Sequence, residues 1–371
     1  MRFSCIQENL ASGLMIVSRI AARAGNLPIL SHIHIKAEND GILLKATNLE
    51  VGATYHLRGK IEEEGEFTVP AKLLTDYVFS LPKEKVDVGL KDGSLHLVCG
   101  THQTAIKGMP AADFPFIPVV EAGVSVKVPI EALSEALGQV IFTVSPTETR
   151  VEISGALFAY ADNRLTVAGT DSYRLAEKIL LAQGEAPGNF RVIVPVRALQ
   201  ELERICQGMS AEGGVATLVV SESQLAVLLP GLEFVSRLIE GPPYPDYRAI
   251  VPSRFGCSAA LPRAEFIGAV KAAGLFSKAG IYDIGIEFNT ETKSMRVEAL
   301  NSQTGEHQSS LAAEAQGVST KVAFNWKYLL DGLQAVSEEK VVIKATDSSS
   351  PSMLTGEKST DYFYIVMPIK E

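Results

Sequence analysis

The sequence predicts an α+β chain built as three tandem, similar domains. Three observations carry that expectation. First, the hexapeptide Val69-Pro70-Ala71-Lys72-Leu73-Leu74 recurs as Val194-Pro195-Val196-Arg197-Ala198-Leu199 and as Phe324-Asn325-Trp326-Lys327-Tyr328-Leu329, with a basic residue fourth and Leu sixth. The copies start 125 and 130 residues apart in a chain of 371, a pitch far too long for a solenoid unit and long enough for a domain with its own core. Second, a strand pattern ending in a polar turn former appears once per third, at Leu43–Asn48, Leu165–Asp171 and Met295–Asn301. Third, each third opens with apolar residues at helical spacing.

The elements follow in order. Leu10, Leu14 and Val17 predict one buried helical stripe, as do Ile130, Leu133, Leu137 and Val140, and then Phe266, Ile267 and Val270. The repeated hexapeptide begins a second helix in each third. Pro70 and Pro195 suit the entrance of those helices, and Leu329, Leu330, Leu333 and Val336 give the last one its stripe. Val86–Leu90 and Ser94–Val98 alternate as strands, with Lys91-Asp92-Gly93 as a hairpin turn. The aperiodic, Pro-rich stretches Gly108–Val120 and Gly241–Pro252 predict linkers, so the domains are expected at 1–122, 123–251 and 252–371. Equal domains in tandem have equal junctions, and such a chain closes into a ring where the rotation per domain permits.

Composition narrows the function. Hydrophobic residues make up 46% and charged residues 21%, which excludes a disordered chain. Lys and Arg number 34 against 43 Asp and Glu, a net charge of −9, so no general basic coat is present. The start, MRFSCIQENL, lacks the apolar run of a secretory signal, and no stretch reaches the roughly 18 apolar residues of a membrane helix. Cys5, Cys99, Cys206 and Cys257 are isolated, which predicts buried thiols in a reducing cytoplasm and no zinc site. Phosphate-loop, nucleophile-elbow and zinc-protease motifs are missing from the sequence. His32 and His34 share a strand face without a third ligand, Asp171 with Arg174 suits a turn-stabilising pair, and Glu62-Glu63-Glu64 suits a solvated loop. The rival expectation, a cytosolic enzyme with an active site between domains, finds no polar constellation unique to one repeat. Neither catalytic residues, metal nor cofactor are expected.

A wider set of residues narrows the choice. Leu27-Pro28-Ile29-Leu30, Lys45-Ala46-Thr47-Asn48-Leu49-Glu50, Val69-Pro70-Ala71-Lys72, Asp113-Phe114-Pro115, Ser154-Gly155-Ala156-Leu157-Phe158, Thr170-Asp171-Ser172-Tyr173-Arg174-Leu175-Ala176, Tyr244-Pro245-Asp246-Tyr247-Arg248 and Val366-Met367-Pro368 occur in this order. With their threefold setting, they make the chain resemble the bacterial DNA polymerase III beta subunit family, the sliding clamps, over essentially its full length. The resemblance implies the DNA-clamp fold: a head-to-tail homodimer of six domains, with sheets outside and twelve helices lining a hole for duplex DNA. It also implies sequence-independent DNA contact, and as partners the replicative DNA polymerase, a clamp loader and other proteins with a clamp-binding motif.

A sliding protein needs weak contact with phosphates and no base reading. The six predicted helices carry nine basic residues, Arg19, Arg23, Lys72, Arg197, Arg204, Arg263, Lys271, Lys278 and Lys327. Against them stand eight acidic ones, Glu8, Asp76, Glu131, Glu135, Glu201, Glu203, Glu265 and Asp331. That gives the helices +1 and the remainder −10, a modest contrast. The residues expected at DNA are Arg19, Arg23, Lys72, Arg150, Arg197, Arg204 and Lys271.

By resemblance, partners insert a short peptide with a hydrophobic end into a pocket between the second and third domains. The matching residues are Ile153, Thr170, Ser172, Tyr173, Arg174, Leu175, Pro245, Ala249, Ile250, Ile365, Met367, Pro368 and Ile369. An apolar cleft suits short tails that bind through a few buried anchors. Three departures from the family's pattern occur: Ala249 stands where a long basic side chain can occur, Ser172-Tyr173 replaces a frequent Gly-His pair, and the chain ends Lys370-Glu371. For the dimer contact the resemblance points to Thr104 and Ile106 in the first domain, facing Leu275 and Phe276 in the third. Thr104 is smaller than the family's usual aromatic residue there.

Overall fold

The computed structural model describes residues 1–21, 27–120, 123–145, 149–184, 188–210 and 213–370. The first repeat contains β1 (Arg2–Ile6), α1 (Gln7–Ile20), β2 (His32–Glu38), β3 (Gly41–Thr47), β4 (Val51–Leu57), β5 (Gly59–Glu63), β6 (Gly65–Pro70), α2 (Ala71–Ser80), β7 (Lys85–Lys91), β8 (Ser94–Cys99) and β9 (His102–Lys107). The second contains β10 (Val124–Pro129), α3 (Ile130–Val140), β11 (Gly155–Ala161), β12 (Arg164–Thr170), β13 (Arg174–Leu181), β14 (Phe190–Pro195), α4 (Val196–Met209), β15 (Val215–Val220), β16 (Gln224–Leu229) and β17 (Leu232–Arg237). The third contains β18 (Cys257–Pro262), α5 (Arg263–Gly274), β19 (Asp283–Asn289), β20 (Ser294–Asn301), β21 (Gly305–Ala312), β22 (Glu314–Gly317), β23 (Thr320–Asn325), α6 (Trp326–Ala335), β24 (Lys340–Ala345), β25 (Ser352–Gly356) and β26 (Tyr362–Val366). Each repeat thus has a helix after its first strand and a second helix near its middle.

The stripes read from the sequence are the buried ones. Leu10, Leu14 and Val17 of α1 and Ile130, Leu133, Leu137 and Val140 of α3 are buried. In α5, Phe266 and Val270 are buried while Ile267 is half-buried. The hairpin turn between β7 and β8 has Asp92 at φ 49° and Gly93 at φ 70°, the left-handed pair that a two-residue hairpin needs.

Sheets run across the repeat boundaries. One sheet orders its strands β10-β15-β16-β17-β4-β3-β2-β6, and another β14-β11-β12-β13-β26-β25-β24-β18-β22. The first is continued at β4 by the last strand of the second repeat, and the second at β13 by the last strand of the third. Compact units therefore differ from repeats. One comprises Met1–Ser134, Ala182–Phe190 and Arg197–Leu238; the other comprises Glu135–Leu181, Arg191–Val196 and Ile239–Glu371. Two smaller sheets, β5-β1-β7-β8-β9 and β21-β20-β19-β23, lie one in each unit.

The two Pro-rich stretches are packed against sheets. Met109 exchanges two backbone hydrogen bonds of 3.0 Å with Thr68, and Ile117 and Val120 pack on Val219, Ala226 and Val235. In the other stretch Tyr244 and Tyr247 are buried. Apolar side chains between the prolines explain this, because a linker that covers a sheet face buries area that a free linker exposes.

His32 and His34 serve the sheet. Thr68 Oγ1 donates to Met109 O at 2.9 Å and so accepts from His32 Nδ1 at 3.1 Å. His34 Nε2 lies 3.0 Å from Glu66, and its ring sits 5.0 Å from that of Phe114. Burial lowers both imidazole pKa values below the usual range, against the opposing pull of Thr68 on His32 and of Glu66 on His34. The folded protein holds these rings neutral while the unfolded chain takes up protons below about pH 6.5. Their contribution is therefore present above pH 6.5 and lost as pH falls through that value towards the lower folded-state pKa. We expect the urea midpoint to fall between pH 7.5 and 5, with a smaller fall in His32→Gln/His34→Gln; equal falls would contradict this assignment.

Candidate functional site

The groove expected at the second junction begins at the turn between β12 and β13. Asp171 Oδ1 accepts the N–H groups of Tyr173 and Arg174 at 2.9 and 3.0 Å. Thr170 Oγ1 accepts from Ser172 N–H at 3.1 Å and donates to Arg174 O at 2.7 Å. These bonds hold Ser172 at φ 79°, a conformation glycine adopts freely and serine only at a cost of about 1 kcal/mol. The Gly-to-Ser departure noted in the sequence therefore falls where the backbone turns left-handed.

Register decides what faces the groove. Thr170 pairs with Leu175, and Leu175 with Ile365, so these three point to one face. Tyr173 and Met367 continue the same alternation, joined by Met367 N–H to Tyr173 O at 2.9 Å. Leu175 and Ile365 belong to an apolar cluster with Leu157, Ala168, Ile193, Tyr244 and Tyr247, against which Met353 and Val251 pack. Tyr173 is 62% exposed and Ile250 49%, leaving apolar surface above a buried apolar floor. Pro245, Ala249 and Ile250 arrive with the segment that Tyr244 and Tyr247 anchor. Pro368 and Ile369 run on towards β23, where Ile369 N–H meets Ala323 O at 2.8 Å. Ile153 is buried in the turn Val151–Ile153.

Tyr247 fixes that segment through charge. Its hydroxyl donates to the buried carboxylate of Glu177, which Arg248 Nη2 also approaches at 3.3 Å. Burial, reinforced by Glu177, pushes the phenol well above its ordinary range, so Tyr247 remains a donor at any physiological pH.

Arg174, one position out of register, turns to the opposite face. Its Nε donates to Asp171 at 3.0 Å, Nη1 to Asp331, and Nη2 to Phe142 O at 2.8 Å. The guanidinium lies 4.6 Å from the Tyr328 ring centroid, within cation–π range. It ties the turn to α6 rather than lining the apolar floor. Tyr328, which the sequence reading did not select, also stacks on Tyr173 at 6.5 Å. A signal was present: the repeated hexapeptide has Leu73 and Ala198 at the fifth place and Tyr328 in the third copy.

The candidate DNA residues scatter. Arg19, Lys72, Arg197 and Lys271 are exposed on α1, α2, α4 and α5. Arg204 pairs with Glu201 at 3.0 Å. Arg150 lies on no helix; it bonds Glu152 at 3.0 Å and Ser172 Oγ at 2.8 Å, beside the groove turn. Arg23 is outside the described residues. The expected helix charge of +1 is corrected at Lys278, since α5 ends at Gly274 before it. Among the described residues the helices hold seven basic and eight acidic residues.

At the expected dimer contact, Thr104 and Ile106 pair with Leu97 and Leu95 on the edge strand β9. Ile106 is 3% exposed, so it fills its own core. Leu275 is 78% exposed, whereas Phe276 stacks on His307 of β21 at 5.8 Å. Among the described residues no group of three or more His, Cys, Asp or Glu could hold a metal, and no helix is long and apolar enough to cross a membrane.

Comparison with known proteins bears on the whole chain. The sequence profile of the DNA polymerase III beta subunit matches in three parts, the N-terminal domain over residues 1–118, the central domain over 127–246 and the C-terminal domain over 248–370. Similar proteins include the beta sliding clamp of Synechocystis sp., 29% identical over 100% of this chain and 99% of that protein. The beta sliding clamp of Pseudomonas putida is 26% identical over 100% of each. Similar solved structures include the Pseudomonas aeruginosa sliding clamp bound to griselimycin, with a TM-score of 0.94, 25% identity and 100% of each chain covered. The Bartonella birtlesii clamp bound to the same compound has a TM-score of 0.91, 26% identity and 100% coverage of each.

Removing the Arg174 fork leaves Asp171 and Asp331 facing each other without their cation. We expect Arg174→Met to lower unfolding stability by about 2 kcal/mol, and Arg174→Lys to recover less than half of that because an ammonium lacks the fork. Urea denaturation checks both; a loss under about 0.5 kcal/mol would show the fork to be dispensable.

Proposed function

The chain belongs to the DNA polymerase III beta subunit family, and from that premise we propose that two copies close into a ring around duplex DNA and present one peptide groove each. It is a sliding clamp, a non-catalytic processivity subunit acting with a DNA polymerase. We take domain boundaries near residues 122 and 251, the groove residues as the partner-peptide site, and the helix cations as the DNA contacts.

The observation that carries the ring is a pattern left incomplete within one chain. The fourth major strand of the first repeat, β4, pairs with the last strand of the second repeat, β17; β13 likewise pairs with β26. The third member of the first set is β21 and the third of the second set is β9, and each is the edge of its own sheet. A β21 edge meeting a partner's β9 edge completes the pattern, and twofold repetition of that contact closes a dimer. Exposed sheet edges otherwise invite uncontrolled pairing.

The observed registers give the expected one. Phe234 opposes Ala53 and Tyr364 opposes Ala176. By hairpin equivalence Thr104 takes the place of Phe234 and Tyr364, opposite His307, whose ring stacks on Phe276. Of the groups named for the interface, Thr104 and Phe276 thus fall together in this register, with a threonine where both junctions inside the chain have an aromatic ring.

Near-neutral helices favour mechanical linkage over adhesion. The protein is cytoplasmic under this reading, works on DNA irrespective of base sequence, and is placed on closed duplex by a separate loader. Partners are the replicative polymerase, that loader and other proteins bearing the same hydrophobic-ended motif.

The ring reading is tested by loading the protein on nicked circular DNA and linearising it. Retention on the circle with rapid loss from the linear form is expected; equal loss from both would refute enclosure. Thr104→Phe should fill the smaller junction and lower the dimer dissociation constant about tenfold, whereas Leu275→Asp/Phe276→Asp should give monomers by sedimentation. A dissociation constant unchanged by the first and a dimer surviving the second would disprove the interface assignment.

A further inference from the structure

We infer that the first junction carries the same frame as the partner groove but sealed, and that Tyr173, Met353 and Met367 decide which junction takes a peptide. This rests on the groove reading above. The frames match bond for bond. Thr47 Oγ1 accepts from Leu49 N–H at 3.0 Å and donates to Val51 O at 2.8 Å, while Asn48 Oδ1 accepts from Glu50 and Val51 at 3.0 and 2.7 Å. Leu49 sits at φ 75°, as Ser172 does at the other turn. Arg237 N–H reaches Glu50 O at 2.9 Å, the counterpart of Met367 N–H on Tyr173 O. Val235 opposes both Gly52 and Ala226, just as Ile365 opposes Leu175 and Met353.

On one backbone the side chains differ at the places a peptide would meet. Glu50 replaces Tyr173, Arg237 replaces Met367, and Ala226 replaces Met353. Two apolar anchors are thus exchanged for charges and one for a methyl group. Gly52, in the place of Leu175, adds a seat for the chain itself: a Cβ there would lie 2.8 Å from Ile117 Cγ2. With Ile117 down on bare backbone, Val120 packs on Val219, Ala226 and Val235. Ile250, which like Val120 follows its repeat's last strand by thirteen residues, stays 49% exposed. At the second junction the linker covers the floor as well, through Tyr244, Tyr247 and Val251, but Ile250 stays up where Val120 lies down, so the junctions differ at this position and at the three exchanged side chains.

The test uses a fluorescein-labelled decapeptide ending in Leu-Phe, followed by anisotropy on the full-length protein. Tyr173→Glu/Met353→Ala/Met367→Arg installs the first junction's residues on a backbone that accommodates them elsewhere in the same chain. Peptide affinity should fall at least about fiftyfold with the wild-type melting curve retained. The reciprocal Glu50→Tyr/Ala226→Met/Arg237→Met with Val120→Ala should raise stoichiometry from one peptide per chain to two. If wild type binds and the exchanged chain binds within about threefold of it, this inference fails while the groove reading stands. A folded reciprocal variant that stays at one peptide also overturns it. If wild type itself binds no peptide, the groove reading fails and this inference with it.

Discussion

The demand of a strand edge for hydrogen-bond partners shapes this molecule more than any side chain. Every buried or half-buried peptide group must be paired, and a sheet that ends inside a repeat leaves one row unpaired. Twice in the chain that row is met by the last strand of the following repeat, at β4 with β17 and β13 with β26. The pairing makes each sheet continuous across a repeat boundary, so the compact units cut through the second repeat. The same demand, unmet at β9 and β21, is what a second copy satisfies in the proposed ring. A short edge bearing Gln103, Ala105 and Lys107 outward is poor at random association yet able to accept one matching edge.

A shared backbone frame with exchanged side chains explains how three similar repeats come to have different duties. The polar turn is built from hydroxyl and carboxamide or carboxylate bonds to the backbone, and it is indifferent to what the next residue presents. One copy presents Tyr173 above Leu175 and Met367; the other presents Glu50 above Gly52 and Arg237. Arg174 supplies rigidity from beneath, its guanidinium shared among Asp171, Asp331 and the Phe142 carbonyl. Partner selection is thereby largely separated from fold stability, because the bonds that hold the turn come from Thr170, Asp171 and Arg174, while Tyr173, Met353 and Met367 are free to vary.

Much of this was legible in the sequence because helical and strand periods are local. The stripes at Leu10, Leu14 and Val17 and at Ile130 to Val140 report their own burial, and the hexapeptide pitch reports three repeats. Properties set by register or by exact element ends were less accessible. Arg174 and Leu175 are neighbours in sequence, yet pleating sends them to opposite faces. Lys278 was counted as helical although α5 ends at Gly274, which removes one of the positive charges the helices were expected to carry. The linkers read as loose because proline masks periodicity, while Ile117, Val120, Tyr244 and Tyr247 carry the apolar contacts. Tyr328 went unselected because its contacts, with Tyr173 and Arg174, come from a distant part of the chain.

A cysteine pair tests the strand rule most directly. If β21 meets a partner's β9 in the register seen inside the chain, Ala105 lies opposite Glu306 of the other copy, about 5 Å apart at Cα and within disulfide reach. Native cysteines are buried and should not compete. Ala105→Cys/Glu306→Cys should oxidise to a covalent dimer that stays closed in denaturant. No cross-link, or a cross-link formed only by the shifted pair Ala105→Cys/Gln308→Cys, would contradict the claim that one pairing rule joins repeats within the chain and copies across it.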